Sequence, residues 1–156
     1  MAGRLHRLVY VSRWANVLGE DGEAAVCRIV AASMGKNRLM DVTGLLLAHE
    51  GWFIQALEGP EAGVAALMST ILRDPRHRSV RVLSEGEAEG RMFQDWNMVG
   101  ARLSPEADPL LVELGQIARF DGYRLDDHGA LHLLLYAAEA RRRRERTNLG
   151  LDRLAS

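Results

Sequence analysis

A few polar or aromatic side chains interrupt segments that are otherwise apolar. Tyr10 lies inside the β-rich run Leu8-Val9-Tyr10-Val11-Ser12, and Gln55 lies in the middle of Trp52-Phe53-Ile54-Gln55-Ala56-Leu57. Asn37 ends an apolar helical pattern, and Trp96 and Met98 alternate near residue 97. A carboxamide offers both a donor and an acceptor, and a phenol can do either. A buried amide without partners costs about 1–3 kcal/mol, so Gln55 either has partners or faces a polar ligand. Taken singly, each position has a plainer reading. Tyr10 is a half-buried strand tyrosine, Gln55 a solvent-facing one, Asn37 a helix terminator, and Trp96 and Met98 are core.

The elements that would carry these residues follow from periodicity. The run at 8–12 predicts a first strand, on which Tyr10 and Ser12 share a face. A helix is predicted over residues 23–35, where Ile29, Ser33 and Asn37 repeat at i, i+4 and i+8. Residues 42–48 and 52–57 predict two strands joined by a tight hairpin at His49-Glu50-Gly51. Gly59-Pro60 opens a second helix with Pro60 at its first position. Val64, Leu67, Met68, Ile71 and Leu72 form its apolar stripe, and Asp74-Pro75 stops it. Residues 80–83 and 93–99 supply two further strands. The order β-α-β-β-α-β-β predicts an α+β, ferredoxin-like sandwich with two helices on one sheet face. Ser104 to Pro109 reads as a linker, followed by helices near 110–118 and 127–146. On the last of these, Leu131, Leu134, Leu135 and Ala138 form a stripe able to cap the other sheet face or meet a second copy.

Five segments, in order and spacing, resemble a BLUF domain. They are Leu8-Val9-Tyr10-Val11-Ser12; Asn37 with Asp41-Val42-Thr43-Gly44-Leu45-Leu46-Leu47; Phe53-Ile54-Gln55-Ala56-Leu57-Glu58-Gly59-Pro60; Asp74-Pro75-Arg76-His77; and Phe93-Gln94-Asp95-Trp96-Asn97-Met98. The match spans about residues 5 to 100. The resemblance implies a sensor domain over 1–103 and a helical extension over 104–156. It implies a non-covalent flavin, FAD ordinarily, with FMN or riboflavin as alternatives. Ile29 and Ile71 would flank the ring system, with Ser33 on the stripe of Ile29. Asn37 would bond the pyrimidine edge, and Asp74, Arg76 and His77 would stand near that end or the ribityl chain. Tyr10 and Gln55 would be the light-reactive pair: the phenol gives up an electron and a proton, and the glutamine amide changes its hydrogen bonds. Trp96 and Met98 would relay the change to an unidentified signalling protein. Lys36 precedes Asn37 where many relatives carry asparagine or histidine, and Asp41 stands where glycine is usual.

Composition narrows the remaining classes. The chain has 156 residues, 47% hydrophobic and 26% charged, an ordinary globular mix. Its net charge of -1 supplies no basic field for nucleic acid. Cys27 is the sole cysteine, so no internal disulfide or thiolate metal cluster forms. No run approaches the ~18 apolar residues of a membrane span, and a cytoplasmic location is expected. His128 and His132 are four apart on a helix but lack a third ligand, so no metal is expected. The Arg141–Arg144 run reads as a solvated helix face. No enzyme is expected, for want of a nucleophile–base pair or phosphate cradle. A homo-oligomer is. The competing reading is a ferredoxin-like RNA-binding or protein-interaction module without flavin.

Overall fold

A computed structural model describes residues 4–14, 40–75, 77–93, 97–103, 107–116 and 119–150, with only the backbone of 97–102. Its strands are β1 (Leu5–Trp14), β2 (Thr43–His49), β3 (Trp52–Pro60), β4 (His77–Glu87) and β5 (Asn97–Arg102). Its helices are α1 (Glu61–Arg73), α2 (Asp108–Glu113) and α3 (Asp127–Asn148), with a 3-10 turn at Gly122–Arg124. The helix expected over 23–35 lies outside the described residues.

One five-stranded sheet runs in the order β4-β1-β3-β2-β5. Along β4, β1, β3 and β2 each strand is antiparallel to its neighbour, and β5 joins the edge parallel to β2. This is the α+β, ferredoxin-like arrangement the element order predicts. The centre of the sheet is covered on both faces, which is why β1, β2 and β3 read as near-continuous apolar runs rather than alternating ones. On one face Leu8, Tyr10, Leu46, Phe53 and Leu57 pack under Val64, Leu67 and Met68 of α1. On the other, Val9, Val11, Leu45, Leu47, Ile54 and Ala56 pack under α2 and α3.

Local chemistry fixes the connections. The β2–β3 hairpin is closed by Glu50 and Gly51, both at positive φ (47° and 82°), the two-residue geometry that matches strand twist. The Glu50 carboxylate then accepts from the Phe120 amide at 3.0 Å, tying this turn to the segment that precedes α3. Asp126 caps α3, accepting from the Gly129 amide at 2.7 Å. Asp41 has φ 55°, a left-handed conformation that explains why glycine is usual there and why aspartate, among the more tolerant residues, can replace it.

Several expectations shift in detail. Pro60 ends β3 and is the N-cap of α1 rather than its first turn. Leu72 is 62% exposed, so the buried face of α1 is Val64, Leu67 and Met68, with Ile71 partly buried. Pro109 is not linker but opens α2, where its missing N–H costs nothing. On α3 the buried face is Ala130, Leu133, Leu134, Ala137 and Ala138, whereas Leu135 faces out. Of the expected stripe, Leu134 and Ala138 are buried and Leu131 is partly buried, so the buried face is turned by about one position from it.

Candidate functional site

Tyr10 and Gln55 stand directly opposite each other on the two central strands, β1 and β3. Strand alternation turns both toward the α1 face, with Leu8, Phe53 and Leu57. Both are buried, Tyr10 fully and Gln55 at 2% exposure. The Tyr10 hydroxyl donates to the Gln55 side-chain carbonyl oxygen. Directly opposed strand residues have Cβ atoms about 5 Å apart, close enough for a phenol and a carboxamide to meet with no backbone distortion. The pairing therefore follows from register. Burial, and secondarily the charge of Asp74, raises the Tyr10 pKa well above its usual 10.0, so the phenol is held neutral.

His77, the first residue of β4, lies beside this pair. Its ring is 6.0 Å from that of Tyr10 in a T-shaped contact and 4.9 Å from that of Phe53. Its Nδ1 is 2.9 Å from the buried Ser12 hydroxyl. Ser12 thus fixes the imidazole against the aromatic pair, a contact that sequence did not reveal because the two residues are 65 positions apart. Ile71, near the end of α1, is half-buried against the same cluster. Asp74 follows the helix, its amide donating to the Ile71 carbonyl at 3.0 Å. The described wall thus brings together Tyr10, Gln55, Ile71, Asp74 and His77. Ile29, Ser33, Asn37, Arg76 and Trp96 lie outside the described residues. Met98 is the second residue of β5 and falls where that strand's register with β2 slips, between the pairs Gly44–Asn97 and Leu45–Val99. Such bulges cluster beside functional sites.

These side chains suit a flavin. With Tyr10 donating to its carbonyl, the Gln55 amide contributes an NH2 donor to further contacts, which matches the carbonyl and imine acceptors on the edge of an oxidised isoalloxazine. Ile71 offers apolar surface for a ring face.

Sequence reading missed Glu58. It is fully buried and bound to Arg7 and to two backbone amides. Its parity with Ile54 and Ala56, both inward residues on the α3 face, was the signal available. Among the described residues no group of three or more His, Cys, Asp or Glu side chains could hold a metal ion. His128 and His132 are exposed. No described helix is long and apolar enough to cross a membrane. The sheet face that an RNA-binding module of this topology would present is buried beneath α2 and α3.

Comparison with known proteins agrees with this geometry. Residues 5–99 match the family model described as BLUF, sensors of blue-light using FAD. The photoactivated adenylate cyclase subunit beta of Euglena gracilis is 33% identical over 97 residues, covering 62% of this chain and 11% of that protein. The chain therefore spans about a tenth of the length of that curated relative. Among solved structures, the dark state of BlrB, a BLUF protein, is 29% identical with a TM-score of 0.68, covering 89% of this chain and 99% of that one. The ground state of BlsA shares the fold at a TM-score of 0.74 and 23% identity, over 84% and 87% of the two chains. With its family model matched from the first strand into the fifth, and a buried tyrosine–glutamine pair at the centre of the sheet, this chain belongs to the BLUF family of blue-light sensors that use FAD.

Proposed function

We propose that this protein reports blue light through a switch formed by Tyr10 and Gln55, and passes the change to a partner protein without catalysing a reaction of its own. The buried hydrogen bond between the two side chains is the observation that carries this reading. When bound, the flavin supplies absorption of blue light and an acceptor for one electron. The chain's residues do the rest. Tyr10, held neutral by burial, gives up an electron and its phenolic proton together, because a bare tyrosyl cation or phenolate is disfavoured where water is absent. The proton passes along that bond to the Gln55 carbonyl oxygen, and the Gln55 nitrogen would release one of its own toward the ring edge, so the amide stays uncharged. The Gln55 amide then rotates or tautomerises, exchanging donor for acceptor toward Tyr10 and toward the ring edge. Both arrangements satisfy the amide, so the second persists after the charge returns, and light sets the populations of a two-state element.

Asn37 and Arg76 would hold the pyrimidine end, with Ile29, Ser33 and Ile71 against the ring. Trp96 and Met98 would register the altered Gln55 and carry it to β5 and the C-terminal helices, which share the core beneath the sheet. We place this activity in the cytoplasm, where a lone Cys27 stays reduced.

The test is an absorption spectrum of purified protein, loaded with FAD, before and after blue illumination. The flavin bands should shift to the red and return in the dark. Gln55→Leu should keep its flavin and lose the shift. A colourless protein that refuses FAD, or a Gln55→Leu variant with an undiminished shift, refutes the reading.

A further inference from the structure

Three residues beyond Gln55, on the opposite face of the same strand, β3 carries a carboxylate with no exposure to solvent. Glu58 is 0% exposed. Its Oε2 accepts from Arg7 Nε at 2.9 Å and Arg7 Nη2 at 2.8 Å. Its Oε1 accepts from the backbone amides of Met92 at 2.9 Å and Phe93 at 2.7 Å. Arg7 Nη2 also donates to the Gly90 carbonyl at 2.7 Å. Arg91 completes the clasp from the other side. Its Nη1 donates to the Glu58 carbonyl at 3.1 Å and the Thr43 hydroxyl at 2.9 Å, and its Nη2 to the Asp41 carbonyl at 2.8 Å.

Residues 90–93 are thus fastened to β1, to β3 and to the start of β2. This is the stretch that leads within three residues to Trp96. It also touches Asp41, four residues after Asn37. Removing a carboxylate from water is costly unless every lone pair finds a donor, and an apolar side chain would fill the same space at less cost. What the carboxylate adds is direction. Two consecutive amides aimed at one carboxylate fix the course of the chain as it turns toward β5.

We infer that Glu58 is a positioning residue for output: it couples the strand that carries Gln55 to the segment that carries Trp96. The inference rests on the switch proposed above. A displacement of β3 at Gln55 reaches Glu58 about 10 Å along the strand, at ~3.3 Å per residue. Because the carboxylate is locked to Met92 and Phe93, those residues follow it. Without the carboxylate, Gln55 still switches, but residues 90–93 no longer track it.

The test uses the full chain loaded with FAD and labelled with 5-fluorotryptophan. Trp14, Trp52 and Trp96 then give three fluorine resonances, and Trp96→Phe identifies the one of interest. Glu58→Gln keeps the shape but places an NH2 among donors. It should retain flavin and the red shift, while amide exchange at Met92 and Phe93 accelerates at least tenfold. The light-minus-dark displacement of the Trp96 resonance should fall at least threefold. A purely structural role would lower stability and leave that displacement intact, and an intact displacement overturns the inference. Arg7→Lys keeps a cation but loses the fork, and should fall between the two. Should Glu58→Gln not fold, an Arg7→Lys protein with an undiminished Trp96 displacement overturns the coupling equally. Wild-type protein with no red shift defeats the switch itself and this inference with it. A wild-type red shift without any Trp96 displacement leaves the switch standing and overturns this inference alone.

Discussion

Tyr10→Phe is the most exacting perturbation of the site, because it deletes a single oxygen and little else. The phenylalanine ring keeps the contacts of Tyr10 with His77 and the α1 layer, so no sizeable cavity opens. What is lost is the donor to the Gln55 carbonyl oxygen in a place where water cannot substitute, since the two residues are 0% and 2% exposed. A buried acceptor deprived of its donor costs about 1–3 kcal/mol. Gln55→Leu strands the Tyr10 hydroxyl instead, at a similar cost of about 1–3 kcal/mol. The double variant removes both polar atoms, and replacing both partners of a buried bond is close to neutral. The two single costs should therefore exceed the double cost. Gln55 has a further interaction besides Tyr10, which the double variant does not restore. That loss is common to Gln55→Leu and the double variant and cancels in the cycle, which places the coupling toward the upper half of the range for contacting residues, about 2–3 kcal/mol. With a urea slope of roughly 2 kcal/mol/M for a protein of this size, each single variant moves the dark unfolding midpoint by about 0.5–1.5 M. The assay is urea unfolding of all four proteins in the dark at one fixed free FAD concentration, with the FAD affinity of each variant measured so that its linkage term is subtracted. Additivity within about 0.5 kcal/mol would refute the bond as an energetic unit and, with it, the physical basis of the switch. The same Tyr10→Phe protein should bind FAD and form no long-lived red-shifted state.

Other expectations can be checked on the same preparations. Tyr10 has a raised pKa, so the unfolded chain releases this proton near pH 10 while the folded one keeps it. Its contribution is constant below that pH and declines above it, and wild type should lose more stability than Tyr10→Phe between roughly pH 9.5 and 11. His49 is shifted the other way by burial, against the opposing charges of Glu50 and Asp108. Its ring packs edge-on to Phe120 at 5.0 Å. Its proton NMR titration should have a midpoint below 6.5, and stability should fall as pH drops through that range; a midpoint at or above 6.5 contradicts the packing. Leu134→Ala on the buried face of α3 should cost about 2–4 kcal/mol, whereas Leu135→Ala on the outer face should cost under about 0.5 kcal/mol, as read by thermal unfolding. Gly44→Ala should fail to give soluble protein or lose several kcal/mol, because a Cβ there runs into the Ala56 carbonyl oxygen across the β2–β3 ladder.

Much of this protein was legible in its sequence because the relevant signals are local. The alternation within β1 put Tyr10 and Ser12 on one face, and the position of Gln55 inside an apolar strand marked it as an amide needing partners. The β-α-β-β-α-β-β order pointed to an α+β, ferredoxin-like sandwich, and Asp74-Pro75 ended α1 where proline must. Tertiary structure decided what depends on register and on which faces meet. That Tyr10 and Gln55 are directly opposed follows from the pairing of β1 with β3, and a slip of one residue would have sent them to opposite faces. That Glu58 is a buried anchor rather than a polar strand end follows from Arg7 and the Met92 and Phe93 amides arriving from distant parts of the chain. The face of α3 that is buried was set by its docking on the sheet residues of the same core, and several rotations of an Ala- and Leu-rich helix have nearly equal apolar patterns. Periodicity records which residues avoid water, but only the docking of one element on another fixes which of them touch.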